Sequence, residues 1–165
     1  MHRTLLTLTL AVLTLALVPG VATAVPPGGP EARGNGTTAG TFEHFNFSAR
    51  GTPVDADGSI RVIDHDTNTM VEGEVGCLNI IGNDAYMTGS VTDVKPETVF
   101  LRSFYAHAED NGGPGGGKNN VDPPDRFDIY VTGTAVFLNC LVPDFIEALP
   151  VLRGDVRVDA GPVIE

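Results

Sequence analysis

The chain has 165 residues, with 21 Asp and Glu against ten Lys and Arg, which gives a formal net charge of −11. Such an acidic chain is repelled by nucleic acids and anionic membrane surfaces, because it has few cations to replace phosphate counterions, and we exclude nucleic acid as a partner. The lack of Trp, with only three Tyr, disfavours a platform that stacks sugars on aromatic rings.

Residues 1–24 have the pattern of a secretory signal peptide, and we expect cleavage before Val25. A positive charge at Arg3 precedes the apolar run Leu5–Val18, and Ala22-Thr23-Ala24 supplies the small residues of a cleavage site. The run of about 14 residues is shorter than the roughly 20 that a membrane-spanning helix needs. The sequence therefore predicts a secreted, extracellular protein without membrane insertion. Removing 24 of the 165 residues leaves 141, enough for one domain.

The chain has two cysteines, Cys77 and Cys140, and in an exported protein this number predicts one disulfide. Closing so long a loop would remove about 4 kcal/mol of unfolded-state entropy. Two buried free thiols remain an alternative. A catalytic thiol is disfavoured, because neither cysteine has a histidine nearby in the sequence.

Residues 25–40 are rich in Pro, Gly, Thr and charged side chains, and we expect a disordered N-terminal arm ahead of a β domain of residues 41–165. Apolar and polar residues alternate over Thr41–Arg50, which predicts a half-buried strand. A second strand is predicted over Ser59–Asp64. The acid-rich stretch Thr69–Val75 is interpreted as an edge strand, whose charges would discourage pairing with another chain.

A β-hairpin is predicted over Gly76–Val91, with a two-residue turn at Gly82-Asn83. In that register one face of the hairpin carries only apolar side chains, those of Leu78, Ile80, Ala85 and Met87. The hairpin is therefore expected to lie at the centre of the fold.

The stretch Val99–Ala108 has apolar residues on both faces, Phe100 among them, and we expect it to be the most buried strand. Two further strands are predicted over Arg126–Val131 and Val151–Asp159, with one helical turn over Pro143–Leu149. The sequence thus predicts an all-β domain of about eight strands, either an antiparallel β-sandwich or a small β-barrel.

A loop of 17 residues, Glu109–Asp125, is built from Gly, Pro, Asn and Asp, and a loop of this length is commonly functional. We expect it to be the contact surface, through Glu109, Asp110, Asn111, Lys118, Asp125 and Arg126. The loop is also a candidate calcium site, because calcium binds oxygen ligands of the kind found here. The candidate metal ligands are Asp110, Asn111, Asp122 and Asp125, with Glu109 and Asp128 close by. Ordinary turn chemistry is the favoured alternative, since Asp and Asn accept backbone N–H bonds in turns.

The sequence shows no assembled catalytic constellation. His44, His65 and His107 lie in different predicted elements without metal-ligand spacing. No nucleophile-elbow motif is present. A pair of carboxylates acting in a hydrolase remains open, because acids are plentiful.

Four stretches carry a resemblance: Cys77-Leu78-Asn79 followed by Gly82-Asn83-Asp84-Ala85, then Asp110-Asn111-Gly112 with Pro114-Gly115, then Pro124-Asp125-Arg126, and finally Leu152–Val156. Together they resemble a group of small secreted bacterial β-rich proteins, often actinobacterial, of unknown function. The resemblance implies an exported β domain and no particular activity. The chain departs from the usual short loop by inserting residues 116–121.

The sequence therefore favours a secreted, non-enzymatic β domain that acts in extracellular binding or as a structural, cell-wall component. The alternatives are a carboxylate-based hydrolase and a passive module stabilised by calcium. Carboxylates gathered in a concave pocket would favour the hydrolase, whereas acids scattered on convex loops would favour the binding domain.

Overall fold

The structure, a computed structural model, describes residues 28–39, 41–42, 44–97, 99–112, 123–134, 139–142 and 147–161. The predicted signal peptide and most of the helical turn predicted for residues 143–149 lie outside these ranges. No helix long and apolar enough to cross a membrane occurs in the described ranges.

Eight antiparallel strands form a closed barrel in which each strand pairs with its neighbours in sequence and the last strand pairs with the first. The strands are β1 (Glu31–Thr38), β2 (His44–Thr52), β3 (Asp55–Asp64), β4 (Thr69–Ile81), β5 (Asp84–Lys95), β6 (Ser103–Glu109), β7 (Arg126–Thr132) and β8 (Leu149–Asp159). The prediction of an all-β domain of about eight strands is confirmed, and of the two architectures the protein adopts the barrel.

The barrel interior is filled by side chains. Phe45 and Phe47 from β2 stack on Phe127 from β7, with ring centroids 4.3 and 5.4 Å from the Phe127 ring. The aliphatic core around them includes Ile60, Val62, Val71, Leu78, Met87 and Val156, all at most 2% exposed. In a small barrel, inward residues packed in this way form the hydrophobic core.

The prediction of a disordered arm over residues 25–40 is wrong for Glu31–Thr38, which forms β1 and closes the barrel between β2 and β8. The inward positions of β1 include Gly34 and Gly36, and rings from β2 occupy the space where their side chains would be. A Cβ on Gly34 would lie 2.6 Å from the Phe47 ring, and one on Gly36 would lie 3.1 Å from the Phe45 ring. The apolar pattern of β1 is missing from its own sequence because β2 supplies the apolar groups.

The interpretation of Thr69–Val75 as an edge strand is also wrong. This stretch begins the longest strand, β4, which pairs with β3 on one side and β5 on the other. Gly73 faces inward there, and a Cβ on it would lie 2.7 Å from the ring of Phe104. An aromatic ring from another strand again fills the place of a missing apolar side chain.

The predicted strand Val99–Ala108 is shorter at its start, since β6 begins at Ser103. Phe100 is 67% exposed and stacks against the Arg102 guanidinium, 4.6 Å from the ring centre, so its expected burial is wrong. Phe104 and Ala106, in contrast, are fully buried as predicted.

The predicted hairpin is confirmed: β4 and β5 are joined at Gly82-Asn83, with Ile80 opposite Ala85 and Leu78 opposite Met87. Four other predicted strands are also confirmed, and they correspond to β2, β3, β7 and β8. The large apolar residues of β2 and β3 are buried, among them Phe45, Phe47, Ile60 and Val62.

Strands β7 and β8 form the shortest pairing in the barrel, with only Arg126 opposite Pro150 and Phe127 opposite Leu149. Beyond these two pairs, β8 continues along β1 without β7 beside it. We call this region the β7–β8 seam. The backbone N–H groups of β8 need other acceptors there, and the ends of the long β6–β7 loop lie next to them.

Candidate functional site

The carboxylate of Asp125 completes the β7–β8 seam. Its side chain is fully buried and accepts hydrogen bonds from the backbone N–H of Asn111 and of Val156, both at 2.9 Å. Its own carbonyl accepts the N–H of Val151 at 2.7 Å. One residue therefore joins the start of the loop, the end of the loop and β8. Burial raises the pKa of the Asp125 carboxyl, against the two N–H bonds that favour its charged form.

Asp110 makes the corresponding connection one step further along β8. One carboxylate oxygen accepts the N–H of Val158 at 3.0 Å, and the other accepts the N–H of Gly112 at 2.9 Å. Asn83 in the β4–β5 turn donates its amide to the Asp110 carbonyl at 2.9 Å and accepts the Asp110 N–H on its own carbonyl. The base of the long loop is thereby fixed to two other parts of the barrel.

Five of the six predicted loop contacts come together at this base. Glu109 and Arg126 are opposite each other at the ends of β6 and β7, with charged atoms 3.9 Å apart, and Arg126 also lies 3.7 Å from Glu147. Asp110, Asn111 and Asp125 form the hydrogen-bonded network above. The sixth, Lys118, lies outside the described residues.

The predicted calcium ligands Asp110, Asn111 and Asp125 are brought together, while Asp122 lies outside the described residues. Both carboxylates accept backbone N–H groups, which is the turn chemistry that the sequence offers as the alternative. No group of three or more His, Cys, Asp or Glu side chains suited to a metal occurs within the described ranges. Calcium binding remains a prediction, and a higher melting temperature in millimolar calcium than in a chelator would support it.

The predicted disulfide is confirmed: Cys77 on β4 is bonded to Cys140, with Cα atoms 6.0 Å apart. Cys140 belongs to the connection between β7 and β8, and its carbonyl accepts the Asn79 amide at 3.0 Å. The Tyr105 hydroxyl donates to the carbonyl of Val142 in the same segment, at 3.4 Å. Residues 139–142 therefore lie over the outer side of β4–β6, which we call the covered face.

Polar and aromatic side chains gather around His107 on the outer side of β5, β6 and β7, and we call them the His107 cluster. Nε2 of His107 is 2.7 Å from Oδ1 of Asp84, and the Tyr86 ring stacks on the imidazole with centroids 4.6 Å apart. Asp128 is directly opposite His107, and burial raises the pKa of its carboxyl, while the hydrogen bond from the Ile129 backbone N–H opposes that rise. Sequence reasoning missed this cluster because only the strand register brings its members together.

The exposure of these side chains decides whether the His107 cluster can bind a ligand. The His107 side chain is 13% exposed and that of Asp84 29%. The carboxylate fixes the orientation of the ring, but little of the imidazole can meet a ligand. We assign the cluster to holding β5, β6 and β7 together. His44 and His65, which sequence reasoning kept apart, lie in contact with ring centroids 4.6 Å apart, while His107 lies on other strands.

A second surface that sequence reasoning missed is the outer side of β8, β1, β2 and β3, which we call the open face. A cavity of about 300 Å³ lies on it, and its charged lining residues are Glu31, Arg33, Asp155 and Arg157. Half of the ten Lys and Arg of the chain are on this face: Arg33, Arg50, Arg61, Arg153 and Arg157. Sequence reasoning misses this surface, because the composition of residues 25–40 predicts a disordered arm where β1 lies.

Comparison with known proteins identifies no relative: no protein family, no curated protein and no solved structure matches the chain.

Proposed function

We propose that the protein is an exported, non-enzymatic binding domain whose barrel holds the Glu109–Asp125 loop as its contact surface. The observation that carries the proposal is the burial of Asp125, whose carboxylate is bound to both Asn111 in the loop and Val156 in β8. A rigid scaffold that positions a long polar loop is a common arrangement in binding proteins. Residues 113–122 connect two ends that the barrel fixes in place.

The distribution of carboxylates favours binding over hydrolysis. A carboxylate-based hydrolase needs two carboxyl groups that face a shared substrate space. In the described part of the chain, Asp110 and Asp125 instead accept N–H groups of the backbone. Inside the barrel, Phe45 and Phe47 stack on Phe127.

Two features support export. The first 24 residues have the charge, apolar and small-residue regions of a signal peptide. The disulfide between Cys77 and Cys140 forms and persists in oxidising compartments. An extracellular or cell-wall setting fits both features.

The experiment compares capture of culture-supernatant proteins and purified cell-wall fragments by three forms of the secreted protein. The first is the wild type, and the second has residues 113–122 replaced by a short Gly-Ser linker. The third is the control Val54→Ser, which alters an exposed turn at the same end of the barrel, 90% exposed. We expect a component that the wild type and the control retain and the linker variant loses.

Equal capture by all three forms would contradict the assignment of the loop. Turnover of a captured glycan or peptide would contradict the non-enzymatic assignment. The melting temperatures of the three forms verify that a lost contact does not come from a lost fold.

A further inference from the structure

Two histidines are in contact at the end of the barrel opposite the long loop. His44 begins β2 and lies directly opposite Ile63 on β3, and His65 is the second residue after Ile63. Alternate residues of a strand point to the same side of a sheet, so both imidazoles lie on the outer side of the barrel. Their ring centroids are 4.6 Å apart, and the two rings are inclined to each other by 80°.

The other described residues make no use of the nitrogen atoms of these two rings. Both side chains are exposed, and neither imidazole makes a hydrogen bond within the described ranges. The imidazole of His107, in contrast, is 13% exposed and lies 2.7 Å from the Asp84 carboxylate. A neutral imidazole has one ring nitrogen with a free lone pair, so His44 and His65 offer two nitrogen ligands to the solvent.

The barrel holds the backbone of both histidines in place. His44 belongs to a strand that is paired on both sides, with β1 and with β3. His65 lies in the turn that follows β3. In this turn the Asp64 carboxylate accepts the N–H of Asp66 at 2.9 Å, the N–H of Thr67 at 3.1 Å and the Thr67 hydroxyl at 2.7 Å. Two side chains positioned in this way lose little conformational freedom when they bind one ligand.

The distance between the two rings indicates which ligand they suit. Two imidazoles that bind one metal ion through nitrogen atoms about 2.0–2.1 Å away have ring centroids about 4.5 Å apart at a right angle and about 5.2 Å apart at the tetrahedral angle. The observed distance of 4.6 Å fits the right angle. A right angle between nitrogen ligands is typical of the square-planar or tetragonal geometry of copper(II) and nickel(II), whereas zinc favours a tetrahedron.

We propose that His44 and His65 bind one copper(II) ion as adjacent ligands. Copper(II) forms the most stable complexes with nitrogen ligands among the divalent first-row metals, so it is the ion best held by only two imidazoles. No third His, Cys, Asp or Glu joins the pair within the described ranges. Water takes the coordination positions that side chains leave open. The formal net charge of −11 further favours the binding of a cation.

The copper site does not depend on the loop as contact surface. The loop Glu109–Asp125 joins β6 to β7 at one end of the barrel, whereas β2 begins and β3 ends at the other. Replacement of residues 113–122 should therefore leave copper binding unchanged, which separates the two proposals. The site is also distinct from the predicted calcium site, because calcium prefers oxygen ligands to imidazole nitrogen.

The test is a titration of the secreted protein with copper(II) chloride, followed by electron paramagnetic resonance, with glycine as a weak competing chelator. We expect one copper ion per chain, with a signal split by two imidazole nitrogens. His44→Gln and His65→Gln should each weaken binding by about tenfold or more, because loss of a ligand costs at least as much as loss of an outer-shell partner. The melting temperature of each variant verifies folding.

The matched control is His107→Gln, the same substitution at the other histidine beyond the predicted signal peptide. This imidazole lies on β6 and is bound to Asp84, so it is not part of the proposed site. We expect the control to change copper binding by less than about twofold, because distant sites act independently. Equal weakening by all three variants, or binding that neither His44→Gln nor His65→Gln weakens, would overturn the proposal.

Paramagnetic broadening in NMR spectra of the wild type locates the ion without any substitution. Copper should first broaden the signals of His44, Ile63 and His65 and should leave those of β6 and β7 sharp. Broadening centred on the carboxylates of Asp110 and Asp125 would identify adventitious binding to the acidic loop and would overturn the proposal. Displacement of copper by millimolar calcium would have the same meaning, since calcium competes for oxygen ligands.

Discussion

The covered face and the open face belong to the same barrel but differ in the exposure of their outward side chains. On the covered face, outward residues of β5 and β6 are buried: Thr88 is 5% exposed, Ser103 7% and Tyr105 2%. On the open face, outward residues such as Ser48 and Arg157 are exposed. Residues 139–142, which the disulfide holds against β4–β6, contribute to this difference, since Tyr105 donates to the Val142 carbonyl.

The comparison shows that a strand with large residues on both sides indicates a second layer. β6 carries Phe104 inward and Tyr105 outward, and both are buried, one by the barrel and one by the covering segment. β1 and β2 carry Arg, Asn and Ser outward, and these side chains are exposed. Exposed polar outward residues therefore indicate a face of the sheet that no described segment covers.

The largest effect on stability is expected from removing the disulfide, because residues 139–142 would then no longer be held over the covered face. The double variant Cys77→Ser and Cys140→Ser should lower the free energy of unfolding by about 4 kcal/mol, because the bond closes a long loop in the unfolded chain. Thermal unfolding with and without reductant measures the loss.

Amide hydrogen exchange gives the control for that experiment. Exchange should increase on β4–β6 first and leave the β1–β2 pairing largely protected, since only the covered face loses its cover. A uniform increase over all eight strands would contradict the assignment of the disulfide to this face.

The second effect concerns Asp125, which lies where the two faces meet at the β7–β8 seam. Asp125→Ala leaves the N–H groups of Asn111 and Val156 without their buried acceptor. We expect a loss of about 2–4 kcal/mol in the free energy of unfolding. Asp66→Ala, at an exposed turn, is the matched control and should change it by less than about 0.5 kcal/mol.

The pH dependence of the Asp125 effect follows from its raised pKa. The folded protein holds the proton to a higher pH than the unfolded chain, in which the carboxyl titrates near its ordinary value of 3.8. The contribution of Asp125 to stability is therefore largest below 3.8 and decreases as the pH rises through the folded value. Denaturant unfolding of the wild type and of Asp125→Asn should show a stability difference that shrinks in that direction. A difference that grows with pH would contradict the burial effect.

Much of the fold could be predicted because a strand that carries its own apolar residues shows an alternating pattern in the sequence. β2 alternates Phe45, Phe47 and Ala49 with polar residues, and the β4–β5 turn has the Gly-Asn pair of a tight hairpin. β1 could not be predicted, because its inward glycines depend on rings that belong to β2. A single-sequence pattern contains no sign of a neighbour that fills an empty position.

The candidate sites were likewise predictable only where their residues lie close together in the sequence. The carboxylates at the loop base could be found from the sequence, since Asp110, Asn111 and Asp125 stand in one polar loop. The hydrogen-bond donors to these carboxylates could not be predicted, because Val156 and Val158 belong to a strand 31 and 48 positions further along the chain. The cavity on the open face could not be found without β1 as a strand, and the His107 cluster could not be found without the register of β5–β7.

A smaller effect on stability is expected when one outward serine is replaced by alanine on each face. Ser103→Ala on the covered face removes a hydrogen bond from the hydroxyl to the Thr134 carbonyl, 2.8 Å long and nearly buried. It should lower the free energy of unfolding by about 1 kcal/mol. Ser48→Ala, at the equivalent outward position of the open face, should change it by less than about 0.5 kcal/mol. Equal losses in urea unfolding would show that the two faces do not differ in cover.

The smallest effect should have the opposite sign. Arg157→Gln removes one of two like charges that face each other across β1 and β8. The free energy of unfolding should rise by about 0.2–0.5 kcal/mol at low salt, and the gain should vanish at high salt, where the repulsion is screened. Arg50→Gln, which breaks the pair with Asp57, should instead lower it slightly. A loss of stability in Arg157→Gln would instead show that the attraction of Arg157 to the carboxylates of Asp155 and Asp159 outweighs its repulsion from Arg33.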